Sequence, residues 1–271
     1  MVKGFFLKMV VADNIASYVN KYWNDSYITV GGASSSLLLA FLFACQIYAD
    51  FDGYSHIAMG SAYLLGFKLP LNFNFPYIAR SFKDFWSRWH ITLSHWMRDY
   101  LYVSLGGNRG TKIKTYFNIL LTFLLAGLWH GAAYTFLIWG AIHGLALVAE
   151  RVMGLEKKEN RVYGLGFLWF MMVQMIVIVA WIFFRAENVN QAFVLMGNLF
   201  SGQWGAEQGL KLLPALAFTL PVAALHFRGW LNERGWVSAP RYFEQGFWCA
   251  VMLYGIFSFY GDSSAFLYFR F

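Results

Sequence analysis

Residues Leu124–Gly144 read LLAGLWHGAAYTFLIWGAIHG. Almost every position is apolar, aromatic or glycine, and the run approaches the ~20 residues that cross a hydrocarbon core of ~30 Å. The whole chain has the same character. It is 59% hydrophobic and 13% charged, with a mean hydropathy of +0.46, whereas soluble domains are about a quarter charged. Alternating ten-residue segments of the β-barrel kind are not found. The expected fold is therefore an all-α integral membrane protein. Two ionisable rings interrupt the run: His130, beside Trp129, and His143 near its end.

Working outward, candidate membrane segments are residues 33–49, 54–69, 116–129, 132–149, 163–184, 208–227 and 243–260. Short, glycine-interrupted segments are tolerated at membrane depth only where protein or a water-filled cavity surrounds them. A polytopic bundle around a central tunnel follows, with residues 1–271 as one domain. The net charge of +7 does not point to nucleic acid, because the basic residues gather in short loops. Arg109, Lys112 and Lys114 form one group, and Arg151, Lys157, Lys158 and Arg161 another. That is the pattern of cytoplasmic loops. Cys45 and Cys249 lie in apolar runs and read as small hydrophobes. The opening MVKGFFLKMVVAD reads as an interfacial helix with snorkelling lysines rather than a signal peptide.

Residues 80–101, RSFKDFWSRWHITLSHWMRDYL, are dense in both charge and tryptophan. At 100° per residue one arc holds Phe82, Phe85, Trp86, Trp89, Leu93, Trp96, Met97 and Tyr100. The other holds Asp84, Ser87, Arg88, His95, Arg98 and Asp99. The pattern predicts one amphipathic helix that lies in the interface or re-enters the membrane. His90 falls at the edge of the aromatic arc and His95 within the charged one, so the two do not form a paired metal site.

An ionisable ring inside a membrane segment is read as functional by default. Its bland alternative is a neutral ring that donates one hydrogen bond to a nearby carbonyl. Gly127 and Gly131 flank the Trp129–His130 pair and remove side-chain bulk, which leaves room for a substrate. A neutral imidazole there can act as general base. His90 is the second candidate, His143 reads as a structural hydrogen-bonder, and His226 as interfacial. Asp50, Asp52 and His56 in YADFDGYSHIAMG have two readings, a divalent-metal site or helix caps at a membrane boundary. GGNRG at 106–110 also has two, a phosphate cradle involving Arg109 or a tight turn. GDSS at 261–264 has too little chain after it for the partners of a serine hydrolase.

Five stretches carry a resemblance: FFLKMVVADNIA, YADFDGYSHIAMG, the run LPLNFNFPYIARSFKDFWSRWHITLSHWMRDYLYVSLGGNRG, LLTFLLAGLWHGAAYTFLIWGAIHG and the terminal FLYFRF. Together they resemble the membrane-bound O-acyltransferases, in particular the bacterial alginate O-acetyltransferase-like branch. The resemblance implies a helical fold with a tunnel and transfer of an acyl group from a cytoplasmic thioester to an extracytoplasmic hydroxyl. It implies that His130 and His90 are catalytic. Trp129, Trp86, Asn108, Arg109 and Asp50 are expected to line the tunnel or touch substrate. No bound cofactor or metal is expected; the donor is acetyl-CoA or an acyl-carrier thioester. The implied setting is the bacterial inner membrane, with an extracytoplasmic acetyltransferase as partner and a polysaccharide as acceptor. A sister branch D-alanylates teichoic acids, and a non-catalytic acyl relay is the remaining alternative. Two departures stand out. The family is longer, so the chain reads as lacking an N-terminal part. Asp52 and His56 also stand where the family's DFSGYSD has Ser and its final Asp.

Overall fold

The computed structural model describes residues 1–24, 27–28, 32–155, 165–201, 212–237 and 242–262. These residues are helical or irregular, with no strand among them. They form two compact units, Met1–Leu71 with Val194–Phe271, and Asn72–Phe193. Among the described residues, three helices are long and apolar enough to cross a membrane, Gly32–Leu64, Tyr134–Val152 and Gly166–Arg185. Several of the seven expected segments therefore change. Segments 33–49 and 54–69 are one helix, Gly32–Leu64. Segment 208–227 begins outside the described residues and continues as three pieces, Leu213–Leu216, Ala217–Thr219 and Leu220–Glu233. Pro214 and Pro221 sit at the starts of the two α-helical pieces, where a missing N–H is tolerated.

In the first unit, helix α1 (Val2–Phe5), a π-helical turn (Phe6–Ala12) and α2 (Asp13–Tyr22) follow one another and pack on α3 (Gly32–Leu64). Gly4 and Gly53 make that approach possible, since a Cβ on Gly4 would stand 2.6 Å from the Gly53 carbonyl oxygen. The contact brings two lysines to the acidic stretch of α3. Lys8 is buried and donates to Asp13 and Asp50, at 2.8 Å each. Lys3 donates to Asp52 at 3.3 Å and to His56 Nε2 at 2.6 Å, and Tyr48 donates its hydroxyl to Asp52 at 3.1 Å.

Two expectations fail here for one reason. Lys8 does not snorkel, and the acidic stretch is not a pair of caps at a helix boundary, because opposite charges meet across the α1–α3 contact. A buried carboxylate is tolerable when paired and hydrogen-bonded, so α3 runs through Asp50 and Asp52 without a break. His226, expected at the interface, is buried with its ring edge-on to Tyr48, and its Nδ1 donates to the Val222 carbonyl at 2.8 Å.

The second unit is built on a helical hairpin. Helix α6 (Lys112–His130) and α7 (Tyr134–Val152) are joined by three residues. Thr111 caps α6 by accepting from the Lys114 N–H at 3.2 Å. The arms touch through glycine. A Cβ on Gly127 would lie 2.3 Å from the Phe136 carbonyl oxygen, and one on Gly140 would lie 2.3 Å from that of Phe123. Small residues of this kind let helix backbones approach in lipid. They also overturn the idea that Gly127 and Gly131 leave room for substrate. The chain's own Phe136 fills both places, its nearest ring carbon standing 2.6 Å from a Cβ on Gly131. Helix α8 (Leu165–Arg185) packs on α7.

Candidate active site

The stretch expected to be one helix is broken in the middle. Helix α4 covers Phe82–Trp86, residues 87–90 turn, α5 covers Ile91–Trp96, and a π-helical segment follows over Met97–Tyr102. The break is made by an upstream segment. The Asn74 N–H donates to the Arg88 carbonyl at 3.0 Å, and the Ile91 N–H to the Asn72 carbonyl at 2.9 Å. Residues 72–74 thus take backbone groups that a continuous helix would have used. The phase of the pattern changes across the break. Phe82, Phe85, Trp89 and Met97 of the aromatic arc are buried, whereas Trp96 and Tyr100 are exposed.

His90 stands at the break with φ 43° and ψ 55°, a left-handed conformation. A non-glycine residue held there costs on the order of 1–3 kcal/mol and persists only where its surroundings enforce it. The ring is held by Asn72, whose Oδ1 lies 3.1 Å from His90 Nδ1. The same oxygen accepts from the Thr92 N–H at 3.3 Å and the Thr92 hydroxyl at 3.0 Å. His90 lies outside the membrane-spanning helices. Burial, and after it the charge of neighbouring His130, lowers its pKa to about 3.

His130 is the last residue of α6 and is buried. Trp139, Phe184 and Trp129 present rings edge-on to it, with centroids at 5.2, 5.0 and 5.0 Å. Phe184 also contacts Trp181, against which Trp89 packs at 4.8 Å. One aromatic wall therefore runs from His130 to the residue that precedes His90.

His143 lies deeper and differs from expectation. It is fully buried among Phe85, Trp86, Phe123, Trp139 and Trp181. Neither ring nitrogen has a hydrogen-bond partner among the described residues, so it packs as an aromatic ring rather than as a hydrogen-bonder.

The other expected site residues have surroundings of their own. Trp86 belongs to the shell around His143, and Trp129 is half exposed beside His130. Asn108 and Arg109 stand in an exposed turn. The Tyr102 hydroxyl donates to Asn108 Oδ1 at 2.6 Å, the Arg109 N–H donates to the Gly106 carbonyl at 2.8 Å, and buried Asn118 donates to the Gly107 carbonyl at 3.1 Å. Asp50 belongs to the first unit and is paired with Lys8.

Two positioning residues escape a reading of the sequence alone. One is Asn72, for which the alternation of Leu71-Asn72-Phe73-Asn74-Phe75 was a signal of an extended segment. The other is Glu150, which reaches from α7 to accept the backbone N–H groups of Phe82 and Lys83 at 3.2 and 3.0 Å. It supplements Ser81, whose hydroxyl accepts from the Asp84 N–H at 3.0 Å. An acidic group at a helix start is favourable, but a lone glutamate late in an apolar helix carries no mark of this task.

The family model of the membrane-bound O-acyltransferases matches residues 5–155. The chain is 44% identical over 204 residues to the probable alginate O-acetylase AlgI of Azotobacter vinelandii, covering 75% of this chain and 40% of the relative. It is 39% identical over 200 residues to the peptidoglycan O-acetyltransferase of Helicobacter pylori, covering 72% and 37%. To the teichoic acid D-alanyltransferase of Bacillus subtilis it is 34% identical over 167 residues, covering 59% and 41%. The chain thus spans less than half the length of each of these relatives.

Proposed function

The chain belongs to the membrane-bound O-acyltransferase family, and from that premise we propose that it forms the catalytic part of an acetyltransferase of the bacterial inner membrane. The donor is a cytoplasmic thioester, acetyl-CoA or an acetylated carrier, and the acceptor is a hydroxyl of an extracytoplasmic polysaccharide, reached directly or through a partner acetyltransferase. The observation that supports this reading is the aromatic wall of Phe184, Trp181 and Trp89, which runs from His130 to the residue before the turn at His90. Acetyl is favoured over D-alanyl because the two relatives named for O-acetylation are 44% and 39% identical, against 34% for the D-alanyltransferase.

His130 serves as general base. As the acceptor oxygen attacks the thioester carbonyl, its proton passes to the His130 imidazole. The C–S bond breaks as the tetrahedral intermediate collapses, and the imidazolium returns the proton to the departing thiolate. The products are an O-acetyl ester and a free thiol. The aromatic wall keeps water, a competing acceptor, away from the thioester.

The test is transfer of labelled acetyl, from acetyl-CoA and from an acetylated carrier in parallel, in membranes containing the protein. General-base assistance is typically worth ~10²–10⁴ in rate. His130→Gln is therefore expected to lower transfer by at least about a hundredfold, with insertion and protein level unchanged. Near-normal transfer by an inserted His130→Gln protein would leave the non-catalytic relay as the better reading.

A further inference from the structure

We infer that Asn72 is a positioning residue that fixes the tautomer of His90, holding its proton on Nδ1 so that Nε2 is the hydrogen-bond-accepting nitrogen of that ring. The inference deepens the acyltransferase reading and rests on it for its catalytic consequence, but not for its structural content.

The Asn72 amide has two ends, and only one of them faces the turn. Carboxamide orientation has to be fixed by partners, and here one partner is unambiguous. The Thr92 backbone N–H can only donate, and it points to Asn72 Oδ1 at 3.3 Å. A reversed amide would set an NH₂ group against that N–H. Oδ1 is therefore the atom that faces the turn, and the Thr92 hydroxyl at 3.0 Å joins it as a second donor.

His90 Nδ1 lies 3.1 Å from the same oxygen. An amide oxygen accepts and cannot donate, so Nδ1 must carry the hydrogen. A neutral imidazole has one N–H, which leaves the lone pair on Nε2.

The backbone supports the same arrangement. The Ile91 N–H donates to the Asn72 carbonyl at 2.9 Å, so Asn72 holds the chain just after the left-handed His90, while the Asn74 N–H holds it just before, at the Arg88 carbonyl. His90 stands before the first turn of α5 and makes no side-chain cap there. Asn72 Oδ1 takes over that duty by accepting from Thr92. Cap and ring tautomer are thus set by the Asn72 side chain, and its carbonyl braces the backbone beside them. The chemical consequence is directional. A proton-bearing group that meets Nε2, whether an acceptor hydroxyl or an imidazole N–H, finds an acceptor and not a competing donor.

The experiment uses the full chain with ¹⁵N-labelled histidine in lipid nanodiscs, with His90→Gln identifying the signal. The wild type is expected to show His90 as the Nδ1–H tautomer at neutral pH. Asn72→Asp keeps an acceptor oxygen and should keep that tautomer. Its carboxylate should also move the acid limb of transfer to higher pH, because a negative charge beside Nδ1–H favours the protonated ring. Asn72→Leu removes the acceptor and should yield a mixture with the Nε2–H form. Transfer should fall about ten- to a hundredfold, the range known for orienting partners of metal-bound histidines, and Asn72→Asp should restore most of it. Thr92→Val removes a donor to Asn72 that does not touch His90 and should leave the tautomer unchanged.

An Nε2–H signal in the wild type, or an unchanged Nδ1–H signal in Asn72→Leu, overturns the inference. If Asn72→Leu does not fold, the wild-type signal and the pH profile of Asn72→Asp still decide it. The two readings separate cleanly. Tautomers that behave as described, with no acetyl transfer from any donor, would refute the acyltransferase assignment and leave the role of Asn72 standing.

Discussion

His90 occupies a backbone conformation that a residue with a Cβ rarely adopts, and its ring is pinned from one side by Asn72. His95, five residues on, is exposed on α5. The contrast predicts that His90→Ala lowers acyl transfer about a hundredfold or more, the lower end of general acid–base contributions, while His95→Ala changes it by less than about threefold, as expected of a surface position. Transfer rates of the two inserted variants, measured side by side, check this. The sign of the pH effect follows from burial, which takes the His90 pKa from 6.5 to about 3. Between those values the unfolded chain binds a proton that the folded chain refuses, so this residue lowers stability as pH falls from 6.5 toward 3. Its ¹⁵N signals should not titrate between about pH 5 and 8. His130 was conspicuous in the sequence as an ionisable ring in an apolar setting, whereas His90, in a charge-dense stretch, stood out through the family resemblance of its RWHITLS block. Asn72 was not, because a carboxamide in a loop carries no such signal until its three donors are in place.

At the scale of helices, the decisive contacts are those where backbone meets backbone. Gly127 and Gly140 interlock the α6–α7 hairpin that ends in His130. A methyl group at either site would press on a carbonyl oxygen of the opposite arm, with no flexible side chain to move aside. Gly127→Ala and Gly140→Ala are each expected to destabilise the protein by about 1–3 kcal/mol, the usual cost of overpacking. A lowered thermal midpoint in detergent checks this, with Gly166→Ala, which meets nothing within 4 Å, as the neutral comparison. The hairpin was legible from two apolar runs and a short connection. The break at residues 87–90 was not, because neither glycine nor proline marks it. It is imposed by pairing with residues 72–74, a tertiary effect that overrides a sound helical period. The union of two expected spans into α3 has the same origin, since Lys3 and Lys8 arrive from elsewhere in the chain to neutralise what looked like a polar boundary.

For the molecule as a whole, composition alone established a helical membrane protein, and the three span-capable helices agree with it. The basic residues Arg109, Lys112 and Lys114 at the start of the hairpin predict that this end faces the cytoplasm. Lys112→Cys, in a Cys249→Ser background that leaves only buried Cys45, should react with an impermeant maleimide after permeabilisation and not in intact cells. Reaction from outside would reverse the topology.

Helix α3 adds a mechanical consequence. Its 33 residues span about 50 Å at 1.5 Å per residue. Even at a steep tilt of about 40° it rises about 38 Å, more than a hydrocarbon core of about 30 Å. Part of it must therefore stand in the headgroup layer, and its last turn bears Tyr63 and Leu64, both strongly exposed, with exposed Leu65 and Phe67 just beyond. The helix is thus a rigid rod longer than the slab that holds it, with the charges at Asp50 and Asp52 fixed partway along. A change in lipid chain length cannot shorten it. It can only slide or tilt the rod, so bilayer thickness sets the depth at which those carboxylates and their lysines ride.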